Sequence, residues 1–289
     1  MKVVRYKDAE AFYERVEAYL LPHEAEHNLI FGLLSSIRQH PANFPDAIMA
    51  LVEDEGAGGA IQFVAVQTDR EHNLILSAAQ SSEAITMLAN DLAASGVALR
   101  GVQSMSDEGH LFTETWARLK GCTAHVHIPM RTFKLEKVIP VTGVAGTLRR
   151  ATASDRDVLA QWEYAFMCEA FADEKHRFED AAQAIDDALA ADTDVRGIYV
   201  WDDGEKAVSY AAYKGPTPHG IRIGPVYTPP ELRGHGYASA CVAGMSQHLL
   251  DSGRQFCFLF TDLRNATSNH IYQLIGYEAV CDFTAYDFR

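Results

Sequence analysis

Arg233-Gly234-His235-Gly236-Tyr237-Ala238 stands between the apolar run Ile221 to Thr228 and the helical pattern Ser239 to Leu250. A strand, a glycine turn and a helix start, in that order, make a place to hold a phosphate. Glycine lets the backbone turn and lets a ligand approach closely. The N–H groups of a helix's first turn have no partner inside the helix, and its dipole favours an anion there. Arg233 adds a fixed charge that forks onto phosphate oxygens. A phosphate-bearing cofactor is expected at this turn.

Working outward, Ala207 to Tyr213 and Val195 to Trp201 flank Asp202-Asp203-Gly204, a strong hairpin signal. Helices are expected over Phe178 to Ala191 and from Ser154-x-x-Asp157, a capping-box-like start, towards Phe171. Leu148 to Ala151 reads as the strand before them. After the glycine turn come a helix to Asp251, a strand Gln255 to Thr261, a helix Ala266 to Ile275 and a strand Tyr277 to Phe288. The N-terminal half shows the same order. A strand Lys2 to Tyr6 precedes helices Asp8 to Leu21 and Glu24 to Ile37. Strands Ala47 to Glu53, Ala60 to Gln67 and Leu74 to Ser77 follow, then a helix Ser82 to Ala94. Val97 to Gln103 is a strand, Asp107 to Leu119 a helix, and Gly121 opens a strand pair reaching Ile139. Residues 141–146, with two glycines and little bulk, read as a linker. The domains are therefore 1–140 and 147–289. In the first, the counterpart of the glycine turn is Leu76-Ser77-Ala78-Ala79-Gln80-Ser81-Ser82, with neither glycine nor arginine, so only the second half is expected to bind pyrophosphate.

Three cofactor classes use such a turn. A P-loop needs Gly-Lys-Ser/Thr, and no Lys follows Gly236. A Rossmann turn needs Gly-x-Gly-x-x-Gly and an acidic residue about 20 positions on. Gly234-x-Gly236-x-x-Ser239 with Asp262 imitates it, but the preceding segments form a meander, not repeated βαβ units. The deciding block lies downstream: Asn265-Ala266-Thr267-Ser268-Asn269-His270-Ile271-Tyr272-Gln273-Leu274-Ile275-Gly276-Tyr277. Together with Arg233-x-x-Gly236-x-Ala238, it resembles the GCN5-related N-acetyltransferases, or GNATs. The first motif is similar to their pyrophosphate loop, (Gln/Arg)-x-x-Gly-x-(Gly/Ala), and the second to their Asn-x-x-Ser-x-x-x-Tyr-x-x-x-Gly-(Phe/Tyr) pattern. The resemblance covers residues 147–289; residues 1–140 share only the element order, like a degenerate copy in tandem members. It implies an α/β fold (α+β mixed), with a mostly antiparallel twisted sheet flanked by helices, and two GNAT-like domains in tandem.

The resemblance also implies acetyl-coenzyme A as donor, with its pyrophosphate on Arg233, Gly234, His235, Gly236, Tyr237 and Ala238 and on the Ser239 hydroxyl. Val226, Tyr227 and Thr228 would pair with the pantetheine arm, and a backbone N–H near Val226 would stabilise the oxyanion, since Pro225 has none. Asn265 and Ser268 complete the cofactor set. Tyr272 would protonate the departing thiolate. For the base, Glu163 and Glu169 both lie in Trp162-Glu163-Tyr164-Ala165-Phe166-Met167-Cys168-Glu169, and Glu169 is preferred because it lies nearer the helix end. Trp162, Phe166 and Glu169 fall on neighbouring helix positions and would line the acceptor cleft. The expected reaction is acetyl transfer to a primary amine of a small or amino-acid-like acceptor by direct attack in a ternary complex; the alternative is a sensor or scaffold that binds acetyl-coenzyme A without turnover.

Composition sets the remaining expectations. The formal net charge is −14, with 12 Lys/Arg against 18 Asp/Glu in residues 1–145 and 13 against 21 in the rest. No basic face is implied, which argues against nucleic acid or an anionic membrane as partner. The five cysteines, Cys122, Cys168, Cys241, Cys257 and Cys281, are scattered without metal spacing, so no metal and a reducing cytoplasmic location are expected. The start of the chain is studded with charges and no apolar run is long enough to span a bilayer. The first half is left to shape the acceptor cleft, to form a homodimer interface or to be structural only.

Overall fold

The structure, a computed structural model, describes residues 1–172, 174–191 and 193–289, apart from the side chain of Ala57. The chain runs β1 (Lys2–Tyr6), α1 (Ala9–Leu20), α2 (Asn28–Gln39), β2 (Ile48–Asp54), β3 (Ala60–Gln67), β4 (Leu74–Leu76), α3 (Ser82–Ala94), β5 (Gly101–Met105), α4 (Ser106–Lys120) and β6 (Ala124–Leu135). It continues with β7 (Thr147–Arg150), α5 (Arg156–Ala170), α6 (Phe178–Ala190), β8 (Arg196–Asp202), β9 (Ala207–Pro216), β10 (Gly220–Tyr227), α7 (Tyr237–Asp251), β11 (Phe256–Asp262), α8 (Ala266–Ile275) and β12 (Glu278–Phe288). The fold is mixed α/β, and the order β-α-α-β-β-β-α-β-α-β occurs twice. Two expected strands differ from the sequence pattern. Residues 121–139 hold one long strand, β6, in place of a strand pair. The first-half strand expected from Val97 starts only at Gly101, because residues 97–99 join α3 to it as a loop.

The chain forms two compact units, and their membership does not follow the chain linearly. Unit 1 holds residues 1–133, 260–265 and 279–289; unit 2 holds residues 134–259 and 266–278. Residues 141–146 lie in unit 2, and β12 from Ala279 onward lies in unit 1.

In unit 1 the strands lie in the order β1-β2-β3-β4-β5-β12-β6. Side chains alternate across a strand, and both faces of this sheet are covered, so β2 and β3 read as unbroken apolar runs. Ala50, Val52, Phe63 and Ala65 pack with Leu88, Phe112 and Trp116 of α3 and α4. Their neighbours Met49, Leu51, Val64 and Val66 pack with Phe12, Val16, Phe31 and Leu34 of α1 and α2. β12 pairs antiparallel with β5, from Phe283 opposite Met105 to Asp287 opposite Gly101. Gly101 is required there, since a Cβ would strike the Tyr286 carbonyl oxygen. On its other side Asp282 takes a two-pronged bond from Arg131 of β6, at 2.6 and 2.9 Å.

In unit 2 the order is β11-β10-β9-β8-β7. Ile198, Val200, Tyr210, Ala212 and Tyr227 turn to α5 and α6, packing with Leu159, Ala160 and Ile185. On the opposite face Tyr199 meets His248 of α7, ring centroids 5.2 Å apart. The entry to α5 corrects the sequence reading: the capping box is Thr152 with Asp155, two residues earlier than expected. Asp155 is claimed by Arg149, whose guanidinium forks onto it at 2.8 Å twice while its Nε bonds Asp202 at 2.8 Å. This fixes the end of β7 to the start of the helix layer. The Arg149 bonds, aided by the Thr152 backbone and hydroxyl, hold the Asp155 carboxyl at about 2. Its folded value lies below the usual 3.8, so the network stabilises fully above pH ~4 and is lost as the pH falls towards ~2. Asp155→Asn should lower stability at pH 7 by about 2 kcal/mol and flatten stability against pH between about 4 and 2. Urea denaturation across that range checks both.

Candidate active site

β10 lies between two unlike neighbours. It pairs antiparallel with β9, but with β11 it pairs only at Gly220, Ile221 and Arg222, opposite Phe256, Cys257 and Phe258. The Phe258 ring lies against Gly220, where no Cβ would fit. Beyond Arg222 no further pair joins β10 and β11 among the described residues. A bulge between Ile223 and Val226 accompanies this departure, built on Gly224 at φ 135° and a cis Gly224–Pro225 bond. Val226 and Tyr227 then regain register opposite Ala211 and Tyr210. Thr228 bonds the Ser209 hydroxyl at 2.8 Å. The β11-side edge of β10 from Ile223 on is thus free of a neighbouring strand in this unit.

That edge leads into the glycine turn. Pro230–Leu232 forms one 3₁₀ turn, and Gly234 and Gly236 both adopt positive φ, 83° and 80°. Gly236 is the N-cap of α7, and its carbonyl accepts from Ala240 at 3.0 Å. The N–H groups of Gly234, His235 and Gly236 have no acceptor among the described residues. Those of Tyr237, Ala238 and Ser239 belong to the first helical turn and find none inside the helix. Six consecutive N–H groups therefore stand ready for an anion. His235 Nδ1 lies 3.2 Å from the Leu232 carbonyl oxygen, and its ring stacks on Tyr237, centroids 5.4 Å apart.

Arg233 is held away from this row. Its Nε donates to the Thr228 carbonyl at 2.9 Å and its Nη2 to Glu169 Oε2 at 2.7 Å. Glu169 Oε1 accepts from the Tyr227 hydroxyl at 3.1 Å, so both its oxygens are engaged and the residue is exposed. Glu163, one turn and a half earlier on α5, is placed differently. It is half-buried, its Oε2 accepts a short bond from the Tyr210 hydroxyl, and Oε1 has no partner among the described residues. Burial raises its pKa, against the lowering effects of Tyr210, Lys214 and Arg196. Trp162 stacks on Tyr210 with centroids 6.3 Å apart, and Phe166 packs beside it against the same core.

Tyr272 and Ser268 sit four residues apart on α8 and so share a helix face. Tyr272 packs edge-on against Tyr277 at 5.8 Å; its hydroxyl makes no hydrogen bond among the described residues, and burial pushes its phenol up to about 12. The N–H of Asn265 bonds the Asp262 carbonyl at 2.9 Å, closing the turn before α8. Asn265 is a residue of unit 1, whereas Val226 to Ser239 and Ser268 to Tyr272 are in unit 2.

Residues 159–277 match the model of the Acetyltransferase (GNAT) family. This stretch is a GNAT acetyltransferase domain. The match supports acetyltransferase activity at the level of the family, whose members use acetyl-coenzyme A. Solved structures share the fold over the full chain. An acetyltransferase from the GNAT family of Colwellia psychrerythraea is 10% identical, covers 100% of both chains and has a TM-score of 0.60. A Drosophila protein is 11% identical, with 99% of this chain and 98% of its own covered and a TM-score of 0.67. A GCN5-related N-acetyltransferase from Sphaerobacter thermophilus is 15% identical over 92% of each chain, with a TM-score of 0.55. At these identities the likeness is one of fold. No curated protein matches the sequence.

The segment after β4 in unit 1 occupies the same place in the element order as the GNAT domain's glycine turn, and its backbone is already bonded. The Ala78 N–H donates to His27 Nε2 at 3.1 Å, the Ala79 N–H lies 3.4 Å from Glu108 Oε1, and the Gln80 N–H donates to Gln62 O at 2.8 Å. His27 donates from Nδ1 to Leu20 O at 2.9 Å, and burial lowers its pKa, keeping the ring neutral as the acceptor role requires. The missing glycines are legible in the sequence and these plugs are not, because His27 and Ala78 are brought together only by the fold. Tyr210, whose bond singles out Glu163, carries no local mark either.

The turn's geometry makes Gly236 hard to replace. An alanine there would strain the left-handed backbone and bring Cβ to 2.9 Å from Val144 Cγ2. Gly236→Ala should lower stability by about 1–2 kcal/mol, read from urea denaturation without ligand.

Proposed function

We propose that the GNAT domain transfers the acetyl group of acetyl-coenzyme A to a primary amine of a small or amino-acid-like acceptor, by direct attack in a ternary complex. The observation that carries this reading is the unpaired edge of β10 running into the row of six N–H groups from Gly234 to Ser239. An extended, amide-bearing chain that ends in a pyrophosphate complements both parts. The pantetheine arm would add to the edge at Val226, Tyr227 and Thr228 as a strand adds to a sheet. The pyrophosphate would take the N–H row, with the Ser239 hydroxyl beside it, while Arg233, expected from the sequence to join it, stays on Thr228 and Glu169. Ser268 would complete donor binding within unit 2. The segment after β4, bonded to His27, Glu108 and Gln62, supports one active site per chain, with unit 1 a degenerate copy.

The amine nitrogen attacks the acetyl carbonyl carbon, and the N–H near Val226 receives the developing oxyanion. The amine's proton passes to a carboxylate. Glu163 fits this role better than Glu169, because Glu169 spends both oxygens on Tyr227 and Arg233 while Glu163 keeps Oε1 open. Trp162 and Phe166 would wall the acceptor. As the C–S bond breaks, the departing thiolate would take the phenolic proton of Tyr272, which burial keeps protonated in the free protein. The acidic charge of the chain suits a small acceptor rather than nucleic acid or an anionic membrane, and five unpaired cysteines suit a reducing cytoplasm. Among the described residues no cluster has the make-up of a metal site, and no helix is long and apolar enough to cross a membrane.

Coenzyme A at millimolar concentration should raise the melting temperature by several degrees, as a ligand of the folded state does; an unchanged melting curve would sink the reading. With a panel of amines and a free-thiol assay, Tyr272→Phe should lower kcat at least tenfold while the coenzyme A shift persists. Glu163→Gln should lower kcat/KM by about 10²–10³ and abolish its acidic limb. In the wild type that limb should rise with pH at a value above the ordinary carboxylate range, because burial raises the Glu163 pKa. A normal limb in Glu163→Gln would return the role to Glu169 or to an already neutral amine.

A further inference from the structure

One basic row on the sheet of unit 2 has no part in donor binding. Arg196 on β8 lies opposite Lys214 on β9, and Lys214 lies opposite Arg222 on β10. Residues two apart on a strand share a face, so Lys214 is on the same face as Ala212 and Tyr210, the face covered by α5 and α6. Three cations on adjacent strands repel one another, and so little opposes them that the arrangement calls for an anion. Arg196 has Asp187 at 3.8 Å. Arg222 has nothing comparable: its Nη1 is shut off from solvent and makes no hydrogen bond. An unpaired buried guanidinium nitrogen is costly, and proteins keep one where a ligand completes it. Lys214 is exposed, yet protein surrounds its ammonium closely enough that desolvation, with Arg222 and Arg196 beside it, brings its pKa to about 8.

The position of the row matters. Arg222 is the last residue of β10 paired to β11, and the free edge begins at the next residue. From Lys214 and Arg222 the strand pair runs past Ala212 and the Gly224–Pro225 bulge to Tyr210 and Tyr227, about 13 Å along the strands. Glu163, bonded to Tyr210 and felt by Lys214, looks onto the same stretch. The strand pair thus has Glu163 near one end and Lys214 with Arg222 at the other.

We propose that Lys214 and Arg222 bind the carboxylate of the acceptor, so that the substrate is an amine that itself carries a carboxylate, such as a free amino acid; this rests on the acetyl-transfer reading above. The charges select a monoanion. With Arg196 facing Asp187, Lys214 and Arg222 together exceed the ionised Glu163 by one positive charge, which one carboxylate balances. The planar fork of Arg222 matches two carboxylate oxygens.

The test compares free amino acids with their carboxamides, which keep the same amine and side chain. Wild-type protein with acetyl-coenzyme A should show kcat/KM at least tenfold higher for one or more free acids than for the matching amides. Arg222→Gln and Lys214→Gln should each lower that acid-to-amide ratio tenfold or more, chiefly through the KM of the acid. Lys214 is exposed, so its variant serves should Arg222→Gln fold poorly. Equal use of acids and amides by the wild type, or a ratio untouched in both variants, overturns the proposal. Calorimetry separates this failure from that of the acetyl-transfer reading. N-acetyl amino acids should bind the wild type at least tenfold more tightly than their N-acetyl amides, with the difference lost in the variants. If that difference is found in a protein that releases no thiol from any amine, the anion site stands and acetyl transfer falls. If thiol is released but the difference is absent, acetyl transfer stands and the anion site falls.

Discussion

The structure of unit 2 turns on a pair of strands that begin together and do not stay together. Phe258 against Gly220 closes the start of the β10–β11 pair, and three residues later the ladder ends. A strand edge inside a domain carries N–H and C=O groups that must be satisfied somehow. The bulge at Gly224 and Pro225 interrupts β10 while β9 keeps its pairing on the other side, on both sides of the bulge. Everything proposed for the site follows from that constraint. The glycine turn is where the free edge ends, Glu163 and the aromatic residues look onto the bulge from α5, and the cationic row lies at the point of departure.

Unit 1 meets the same constraint with the opposite solution. Its segment after β4 bonds to His27, Glu108 and Gln62, and Tyr19 donates to the Ala78 carbonyl at 2.7 Å. Side chains of this unit thus satisfy the backbone groups that a ligand would otherwise take. A neutral buried His27 does this well, since one ring nitrogen donates while the other accepts. What remains is a well-packed sheet with helices on both faces.

Much of this was legible in the chain because it depends on local chemistry. The helix Ser82–Ala94, the strand Ala60–Gln67 and the helix Ala266–Ile275 end where capping and periodicity put them. The phosphate turn was legible because glycine at positive φ next to a helix start leaves few alternatives. What stayed hidden depends on strand register and long-range pairing. Nothing near Glu163 in sequence marks it above Glu169; Tyr210, 47 positions away, does. Lys214 and Arg222 look like ordinary strand cations until the register sets them side by side. The capping box moved from Ser154 to Thr152 because Arg149 and Asp202 claim the geometry of Asp155, a preference that a short window cannot contain.

The membership of β12 in unit 1 has a consequence in time. Phe283 pairs with Met105, so the sheet of unit 1 contains a strand that is synthesised only after all of unit 2 has been made. A nascent chain that has completed β1 to β5 holds an unfilled edge at β5, and such edges pair with whatever strand arrives first. Non-local pairing of this kind is slow, since the loop it closes must be ordered before the contact repays it. The sheet of unit 1 is therefore complete only once β12 has been made, after every residue of unit 2.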